Sequence, residues 1–318
     1  MRSHAIVTGA AGFIGSYIVD RLLLNGLHVI GIDNFVRGTK DNLKEAFGHQ
    51  NFKMLEVDLA HFDATFTALR DVVSHGSVEI VWHMAANSDI SAGVADLRVD
   101  LHATFMTTFN TLAIMRAFEI GKIAFASSSA VYGEHAGILT EETGPLLPIS
   151  NYGAMKLASE ALVSAAMESF LERAWLFRFP NVIGKRLTHG VIYDFIKKLQ
   201  ANPERLDILG DGNQQKEYLH VSDLLDAMFF IIENGTEKLN VFNIGANDQG
   251  ATVRFIADTV IAAMAPGARK SYSGGRKGWV GDVPHFNYSI EKLQRLGWRP
   301  RLTSEQAVIR AVQELLAA

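Results

Sequence analysis

Residues 5–15 read AIVTGAAGFIG, and this stretch determines the fold that we predict for the chain. Three apolar residues, Ala5 to Val7, are typical of a short buried strand. Gly9, Gly12 and Gly15 follow in a G-x-x-G-x-x-G pattern, and a helix-periodic run continues to Leu24. Glycines at these points permit a tight turn and a close approach of the backbone to a pyrophosphate, which the helix N-terminus then attracts. An ordinary strand-to-helix turn is the alternative for the glycine pattern alone.

A carboxylate in the next strand favours a dinucleotide ligand. Asp33 ends the apolar run Val29–Ile32 and lies 21 residues after Gly12. An acidic residue at this spacing suits the 2′-hydroxyl of a ribose and repels a 2′-phosphate. The sequence therefore predicts binding of NAD in preference to NADP.

Composition limits the class of protein. The chain has 318 residues, of which 48% are hydrophobic and 20% are charged, with a net charge of −4 and no cysteine. There is no dense basic cluster, which argues against nucleic acid or an anionic membrane as a partner. Disulfides, thiolate metal sites and cysteine nucleophiles are excluded, and a cytoplasmic location is expected. The first strand begins almost at once and no apolar run is long enough to span a membrane, so we expect neither a signal peptide nor a transmembrane helix.

Strands and helices alternate along the first half of the chain. Residues 52–57, 78–84 and 122–127 read as further strands, with helical patterns between them. This alternation predicts an α/β fold with a doubly wound parallel (Rossmann) sheet, whose ligands lie at the carboxyl edge of the strands. Asp58 lies at that edge, where it suits an adenine amino group or, equally, a helix cap. Ala85 and Ala86 follow the fourth strand and are small enough to let a cofactor pass.

A tyrosine and a lysine follow the fifth strand. That strand ends in SSSAVYG (127–133), and the next helix begins at Ser150. Tyr152 and Lys156 are four residues apart and so share one helix face. A nearby ammonium is expected to lower the pKa of Tyr152 from about 10 towards neutrality, which would make Tyr152 a general base towards a sugar or alcohol hydroxyl. Ser128 would share that proton and hold the substrate oxygen. A Tyr–Lys pair at this spacing also occurs by chance.

These motifs resemble the extended short-chain dehydrogenase/reductase family, and within it the nucleotide-sugar epimerases and dehydratases. The resemblance covers nearly the whole chain and is much more specific for the family than for the substrate. Its motifs are TGAAGFIG, Asp33-Asn34, Asp58-Leu59, HMAA (83–86), SSSAVYG, Tyr152-x-x-x-Lys156, RFPNVIG (178–184), GDGNQQKEYLHVSDLLDA (210–227), FNIG (242–245), GDV (281–283) and LGWRP (296–300).

The resemblance assigns roles position by position. It implies a catalytic trio of Ser128, Tyr152 and Lys156. The implied cofactor-binding residues are Gly9, Gly12, Phe13, Ile14 and Gly15 at the pyrophosphate, Asp33 and Asn34 at the adenine ribose, Asp58 and Leu59 at adenine, Ala85 and Ala86, and Tyr152 with Lys156 at the nicotinamide ribose. The implied substrate-binding residues are Ser128, Ser129, Asn181, Val191 and Lys216.

The resemblance also implies two domains and a dimer. Residues 1–178 would form the NAD-binding Rossmann domain, to which residues 219–245 return with a helix and a strand. Residues 179–318 would form a smaller α/β domain that binds the substrate. The helices within 104–118 and 154–170 are expected first as core helices, and in this family such a pair commonly forms a four-helix bundle with a second subunit. A homodimer is therefore expected.

One position favours epimerisation over dehydration. Family members that remove water or carbon dioxide have an acidic residue two positions before the tyrosine of the Tyr-Gly pair, and here that position is Ala130. Dehydration would need a carboxylate here to move an additional proton. The remaining catalytic residues suit oxidation at C4, rotation of the 4-keto sugar and return of the hydride, so that NAD is recycled. The alternatives are a dehydratase, a net NAD-dependent oxidoreductase and, in a different class, a non-catalytic NAD-binding sensor.

Three departures from the family pattern concern cofactor and phosphate contacts. The usual Asn-x-x-Gly-Thr run is replaced by residues 107–111, TTFNT. Lys216 replaces a diphosphate-binding arginine and loses its bidentate fork. Trp279 stands in place of a second arginine, and Arg276 and Lys277 lie close enough in the sequence to substitute for it. Either the phosphate clamp has been rebuilt or the substrate is not an ordinary UDP-hexose.

The remaining polar residues are expected to have ordinary structural roles. The histidines show no metal-ligand spacing, so no metal is predicted. His83 and His220 are expected to make local hydrogen bonds. Glu141 and Glu142 are expected to be solvated charges.

Overall fold

The computed structural model describes residues 3–73, 76–135, 137–275 and 288–317, and in this part of the chain strands and helices alternate as the sequence predicts. The strands are β1 (Ser3–Thr8), β2 (His28–Asp33), β3 (Phe52–Glu56), β4 (Ser77–His83), β5 (Lys122–Ala126), β6 (Arg173–Arg178), β7 (Asn181–Ile183), β8 (Arg205–Ile208), β9 (Gln215–Lys216), β10 (Tyr218–His220), β11 (Leu239–Asn243), β12 (Ala251–Thr252) and β13 (Arg269–Tyr272).

The helices vary in length from single turns to the long helix that carries Tyr152. They are α1 (Phe13–Leu24), α2 (Lys44–Phe47), α3 (Phe62–Val73), α4 (Ile90–Ala95), α5 (Leu97–Asp100), α6 (Thr107–Ala117), α7 (Asn151–Met167), α8 (Val191–Ala201), α9 (Val221–Asn234), α10 (Val253–Met264), α11 (Glu291–Leu296) and α12 (Ser304–Leu316). Short 3₁₀ turns span Lys40–Leu43 and Ser129–Val131, and a π-helical turn spans Leu101–Met106.

A seven-stranded parallel sheet confirms the predicted Rossmann fold. Its strand order is β11-β6-β5-β4-β1-β2-β3. From β1 the chain first adds β2 and β3 on one side and then β4, β5 and β6 on the other. Apolar residues predominate in the central strands, as expected where helices cover both faces, and the core includes Ile6, Ile30, Ile123, Phe125 and Leu176. The parallel crossovers place every loop that follows a strand at one edge of the sheet.

Strand register fixes which loops meet at this edge. Thr8 pairs with Ile32 of β2 and with His83 of β4, and His83 pairs with Phe125 of β5. The glycine turn, Asp33, the alanines after β4 and the serines after β5 therefore leave the sheet at nearly the same level. The edge at the switch in strand order is where a parallel sheet of this kind binds its ligands.

The chain forms two compact units. The first contains residues Met1–Val131, Ser150–Arg178 and Asn234–Phe242, and the second contains Tyr132–Ile149, Phe179–Glu233 and Asn243–Ala318. Three small two-stranded sheets occur in the second unit, β7 with β10, β8 with β13 and β9 with β12.

The returning segment is shorter than the sequence analysis expects. Residues 219–245 were predicted to return to the first domain, but only the segment Asn234–Phe242 does so. Strand β11 bonds to β6, whereas β10 pairs with β7, so helix α9 stays with the second unit. Residues Tyr132–Ile149 also join the second unit, within which Gly133 bridges Leu147 and Leu139 bridges Tyr288.

Candidate active site

The glycine turn is packed so tightly that side chains do not fit at two positions. Gly9 has a φ of +64°, and a Cβ on it would lie 2.9 Å from the backbone nitrogen of Ala85. A Cβ on Gly15 would lie 2.0 Å from the carbonyl oxygen of Gly9. Gly12 caps helix α1 without a side-chain acceptor, so the first-turn N–H groups at Phe13 and Ile14 face the loop edge. This cradle fits the pyrophosphate of NAD.

Gly15→Ala is expected to weaken NAD binding because the new methyl group meets a backbone oxygen. Such overpacking costs about 1–3 kcal/mol, or roughly ten- to a hundredfold in affinity. Calorimetric titration with NAD measures the change. Gly267→Ala is the matched control, since a Cβ there meets nothing within 4 Å. Equal NAD affinity in both variants would contradict the role of the turn.

Asp33 ties the glycine turn to the end of β2. Its Oδ2 accepts from the Ala11 N–H at 2.9 Å and its Oδ1 from the Phe35 N–H at 2.8 Å. Burial raises the pKa of this carboxyl above its usual value, and these backbone hydrogen bonds oppose the rise. Asn34 is exposed, and its Oδ1 accepts from the Val36 N–H at 3.1 Å. The ribose contacts of both residues stay predictions.

The loops after β3 and β4 are held by local hydrogen bonds. Asp58 Oδ1 accepts from the Ala60 N–H at 2.9 Å, which closes the turn before helix α3, and its contact with adenine stays a prediction. Leu59 is buried, and its carbonyl accepts from Asn110 Nδ2 at 2.7 Å. The Ala85 N–H donates to Thr8 Oγ1 at 3.2 Å, which holds Ala85 and Ala86 beside the glycine turn.

His83 has the structural role that was expected. Its Nδ1 lies 2.8 Å from Thr8 Oγ1 and its Nε2 lies 3.0 Å from Thr108 Oγ1. Burial, together with the charge of Lys156, lowers the pKa of His83 to about 3, so the ring is neutral. His220 likewise bonds to Ser222 and Glu314, at 2.7 and 3.0 Å. Among the described residues no cluster fit to hold a metal ion occurs.

Ser128, Tyr152 and Lys156 are brought together as predicted by sheet and helix geometry. Ser128 leaves the end of β5 and forms a hydrogen bond with Tyr152. Ser150 caps α7 by accepting from the Gly153 N–H at 3.1 Å, which places Tyr152 in the first turn. Lys156 lies one turn later, with its Nζ 5.8 Å from the centre of the Tyr152 ring. The catalytic roles of these residues are proposals that this arrangement supports.

The ammonium group of Lys156 is buried between a backbone carbonyl and an aromatic ring. Its Nζ donates to the Ala126 carbonyl at 2.5 Å and lies 4.9 Å from the centre of the Phe125 ring. The side chain is 1% exposed. Burial lowers the pKa of Lys156 to about 7, although the charges of Glu160 and Asp100 raise it.

The pKa of Tyr152 differs from the expectation. The sequence analysis predicts a value lowered by Lys156, whereas burial raises the pKa of Tyr152 to about 12. The hydrogen bond from Ser128 lowers the value and the charge of Asp100 raises it further. Desolvation of the phenolate outweighs the opposing hydrogen bond from Ser128.

A buried ion pair that is not predicted from the sequence lies behind the trio. Glu160 accepts from Arg178 twice, Oε1 from Nε at 2.9 Å and Oε2 from Nη2 at 2.6 Å. Its Oε1 also accepts from Ser127 Oγ at 2.5 Å. Glu160 lies four residues after Lys156, on the same helix face, and that spacing is the signal that could have revealed it.

Asp100 is the second residue that was missed. It is fully buried, and its charge acts on both Tyr152 and Lys156. A lone carboxylate within a predicted helical region gives no sign of the helix that it faces. Sequence reasoning had no signal for it.

The second unit contains the other substrate-binding candidates. Asn181 begins β7, and its Nδ2 lies 3.4 Å from the Glu217 carbonyl, next to Lys216. Val191 begins helix α8. Burial raises the pKa of Glu217 to about 8, with a contribution from the charge of Asp248. Substrate contacts of these residues stay predictions.

Three further expectations concern Glu141, Ser129 and Trp279. Glu141 is not a solvated charge: its Oε1 accepts from the Asn243 N–H at 2.7 Å, and burial raises the pKa of its carboxyl. Ser129 lies in the 3₁₀ turn after Ser128. Trp279, with Arg276 and Lys277, lies outside the described residues. None of the helices in the described ranges is both long and apolar enough to cross a membrane.

Comparisons with known proteins agree with this geometry. Residues 5–245 match the model of the NAD dependent epimerase/dehydratase family. A UDP-glucose 4-epimerase of Mycolicibacterium smegmatis is 28% identical over 317 residues, 98% of this chain and 97% of that protein. The crystal structure of a UDP-glucose 4-epimerase with UDP-glucose, from Thermotoga maritima, has a TM-score of 0.85 at 28% identity and covers 98% of each chain. That of Thermus thermophilus, in complex with NAD, has a TM-score of 0.85 at 29% identity and covers 99% of each chain.

Proposed function

Because the chain belongs to the NAD-dependent epimerase/dehydratase family, we propose that it is an NAD-dependent epimerase that inverts C4 of a nucleotide-diphosphate sugar. The observation that carries this function is the grouping of Ser128, Tyr152 and Lys156 at the carboxyl edge of a sheet whose glycine turn fits NAD. UDP-glucose is the first substrate to test, since a relative of the same fold binds it.

The residues of the chain account for proton movement and orientation. The glycine turn and Asp33 would hold NAD, which would supply reversible hydride transfer at C4 of the sugar without net redox change. Tyr152 takes the proton of the C4 hydroxyl and gives it back after the 4-keto sugar has rotated. Ser128 holds the same oxygen by a hydrogen bond, and the Lys156 ammonium stabilises the phenolate.

Dehydration is the second candidate because the family includes both activities. Loss of water needs a further acid near C5 and C6 of the sugar, and Ala130 stands where dehydratases of the family have one. The backbone N–H of Ala130 donates to Ser128 Oγ at 3.1 Å, so this position supports the serine and brings no proton donor of its own. A sensor without activity would bind NAD and leave every sugar unchanged.

The test is an assay by proton NMR with NAD and a panel of UDP-, dTDP-, CDP- and GDP-sugars. A mixture of two C4 epimers from one substrate, without accumulated NADH, is the expected result. A 6-deoxy methyl signal would identify a dehydratase, and stoichiometric NADH would identify a net oxidoreductase. Conversion of no sugar would contradict the proposed activity and favour the sensor.

The proposal assigns a role to each unit. The first unit binds NAD, supported by its glycine turn and Asp33, and the second binds the nucleotide sugar through Asn181, Val191 and Lys216. A cytoplasmic location is part of the proposal as well. The chain contains no cysteine, so nothing in its fold requires an oxidising compartment.

We also propose a homodimer, in which helices α6 and α7 pack against the same two helices of a second copy. Phe109 on α6 is 48% exposed, and α7 presents the small residues Ala161 and Ala165 to solvent. Exposed aromatic and small residues on adjacent helices suit a helix-to-helix interface.

Phe109→Asp is expected to convert a dimer into a 34.9 kDa monomer, because a carboxylate would be buried at the interface. Analytical ultracentrifugation measures the mass. Leu209→Asp is the control, since Leu209 is 58% exposed in the second unit. A wild-type protein that sediments as a monomer would refute the dimer.

A further inference from the structure

A buried carboxylate lies behind the Tyr152–Lys156 pair without the partners that such a group usually has. Asp100 ends helix α5 and is 0% exposed. Its Oδ1 accepts from Asn87 Nδ2 at 2.8 Å. No hydrogen bond of ordinary length reaches its Oδ2 among the described residues, while burial raises the pKa of the carboxyl and the side chains of Asn87 and Thr104 lower it. A carboxylate buried with one oxygen unpaired is costly, so its presence needs an explanation.

The unpaired oxygen is pressed against helix α4. A Cβ on Gly93 would lie only 1.8 Å from Asp100 Oδ2, so this oxygen directly faces the Gly93 backbone. The Gly93 carbonyl in turn accepts from Asn151 Nδ2 at 2.8 Å. Asn151 begins α7 and immediately precedes Tyr152. Asp100 is therefore linked through one glycine to the turn that carries the tyrosine.

The backbone around Asp100 is also unusual. The π-helical turn Leu101–Met106 follows it directly, and both this turn and α5 pack against α7. Wide π-type turns within helices frequently occur at functional sites. Here the turn begins directly after Asp100, at the point where the chain faces α7.

We propose that Asp100 is a positioning residue for the Tyr152–Lys156 pair, acting through the Gly93–Asn151 contact and through the negative charge of its buried carboxylate. The proposal rests on the function proposed above, since it concerns the same pair. Asp100 touches neither substrate nor cofactor in this account. It fixes where the tyrosine stands and how readily the pair gains and loses protons.

The charged and titratable groups around the pair determine in which direction the pKa values of Tyr152 and Lys156 move when Asp100 is changed. Tyr152 interacts with Ser128 and with the charge of Asp100, and Lys156 interacts with the charges of Glu160 and Asp100. The other groups near the pair or near Asp100 are neutral His83, and Asp89, whose Oδ2 lies 3.1 Å from Arg37 Nη2. Removing the Asp100 charge makes the phenolate easier to form and the ammonium harder to keep, so both pKa values fall.

Asp100→Asn tests the charge. Both limbs of the pH profile of kcat are expected to move to lower pH, by about one unit, because Tyr152 must lose a proton and Lys156 must keep one. The pKa of Lys156, followed by NMR of labelled lysine and assigned with Lys156→Arg, is expected to fall as well. Asp96→Asn is the matched control: Asp96 lies at the surface, paired with Arg98, and asparagine preserves its capping role.

Asp100→Asn could lower the rate while the pH profile of kcat and the pKa of Lys156 stay unchanged. That result would overturn the proposed effect of the Asp100 charge and leave only a structural role for the residue. The NMR readout does not depend on turnover. If the wild-type enzyme converted no sugar, the proposed function would fail, while the Lys156 titration would still decide the role of Asp100.

Gly93→Ala tests the contact. The new methyl group must displace the Asp100 carboxylate, and kcat is expected to fall. In Gly93→Ala combined with Asp100→Ala the clash is gone, so the double variant is expected to be no slower than Asp100→Ala alone. If the double variant lost as much kcat as the product of the two single losses, Gly93 would act independently of Asp100, which would contradict the proposed contact.

Discussion

Tyr152→Phe is expected to lower kcat by about 10²–10⁴-fold while NAD binding persists. The phenol is the group that takes the C4 proton in the proposed reaction, and phenylalanine fills the same space without a base. Burial already raises the pKa of Tyr152 to about 12, so the phenolate is formed at neutral pH only with help from neighbouring positive charge. Steady-state kinetics and an NAD titration of the same variant measure the two effects.

Ser128→Ala is the matched comparison for this prediction. It removes one hydrogen bond to the tyrosine and leaves the base, so a loss of roughly tenfold is expected, which corresponds to about 1.4 kcal/mol. A Tyr152→Phe variant that epimerises as fast as Ser128→Ala would remove Tyr152 from the mechanism.

Glu160→Gln is expected to lower the free energy of unfolding by about 3–5 kcal/mol. The side chains of Glu160 and Arg178 are 6% and 7% exposed, and the carboxylate accepts two hydrogen bonds from the guanidinium. A neutral amide would remove the negative charge that Glu160 places against the buried Arg178 guanidinium. Urea denaturation followed by circular dichroism measures the change.

Two further variants separate the charge effect from loss of packing. Replacing both Glu160 and Arg178 by methionine is expected to lower the free energy of unfolding less than Glu160→Gln does, because neither charge of the pair remains. Glu291→Gln removes an exposed pair with Arg295 and is expected to change stability by less than about 1 kcal/mol. A Glu160→Gln variant as stable as Glu291→Gln would show that the buried pair contributes nothing.

The fold could be predicted from the sequence because its signals are local. The glycine spacing between β1 and α1 reflects close backbone contacts that only glycine permits, as the short distance from Gly15 to Gly9 shows. The position of Tyr152 and Lys156 on one helix face follows from their spacing alone. Their approach to Ser128 follows from the rule that ligands and loops gather at the carboxyl edge of a parallel sheet.

The environment of the site could not be predicted in the same way. Asp100 meets helix α7 through packing that no local pattern encodes. The spacing from Lys156 places Glu160 on the same helix face, but its pairing with Arg178, 18 residues later, depends on tertiary packing. The pKa of Tyr152 depends on how much water burial removes, and a four-residue spacing to Lys156 carries no information about that. Glu141 was expected in solvent for the same reason, although it accepts from the Asn243 backbone.

In the proposed reaction the C4 hydrogen leaves the sugar and returns to it as a hydride, and a labelling experiment can follow this transfer. A nucleotide sugar deuterated at C4 is incubated in ordinary water with the enzyme and NAD, and the products are analysed by NMR and mass spectrometry. We expect a mixture of C4 epimers that both retain deuterium at C4, with no accumulation of NADH. Epimers that have exchanged the label for solvent hydrogen, or a 6-deoxy product in their place, would contradict the proposed reaction.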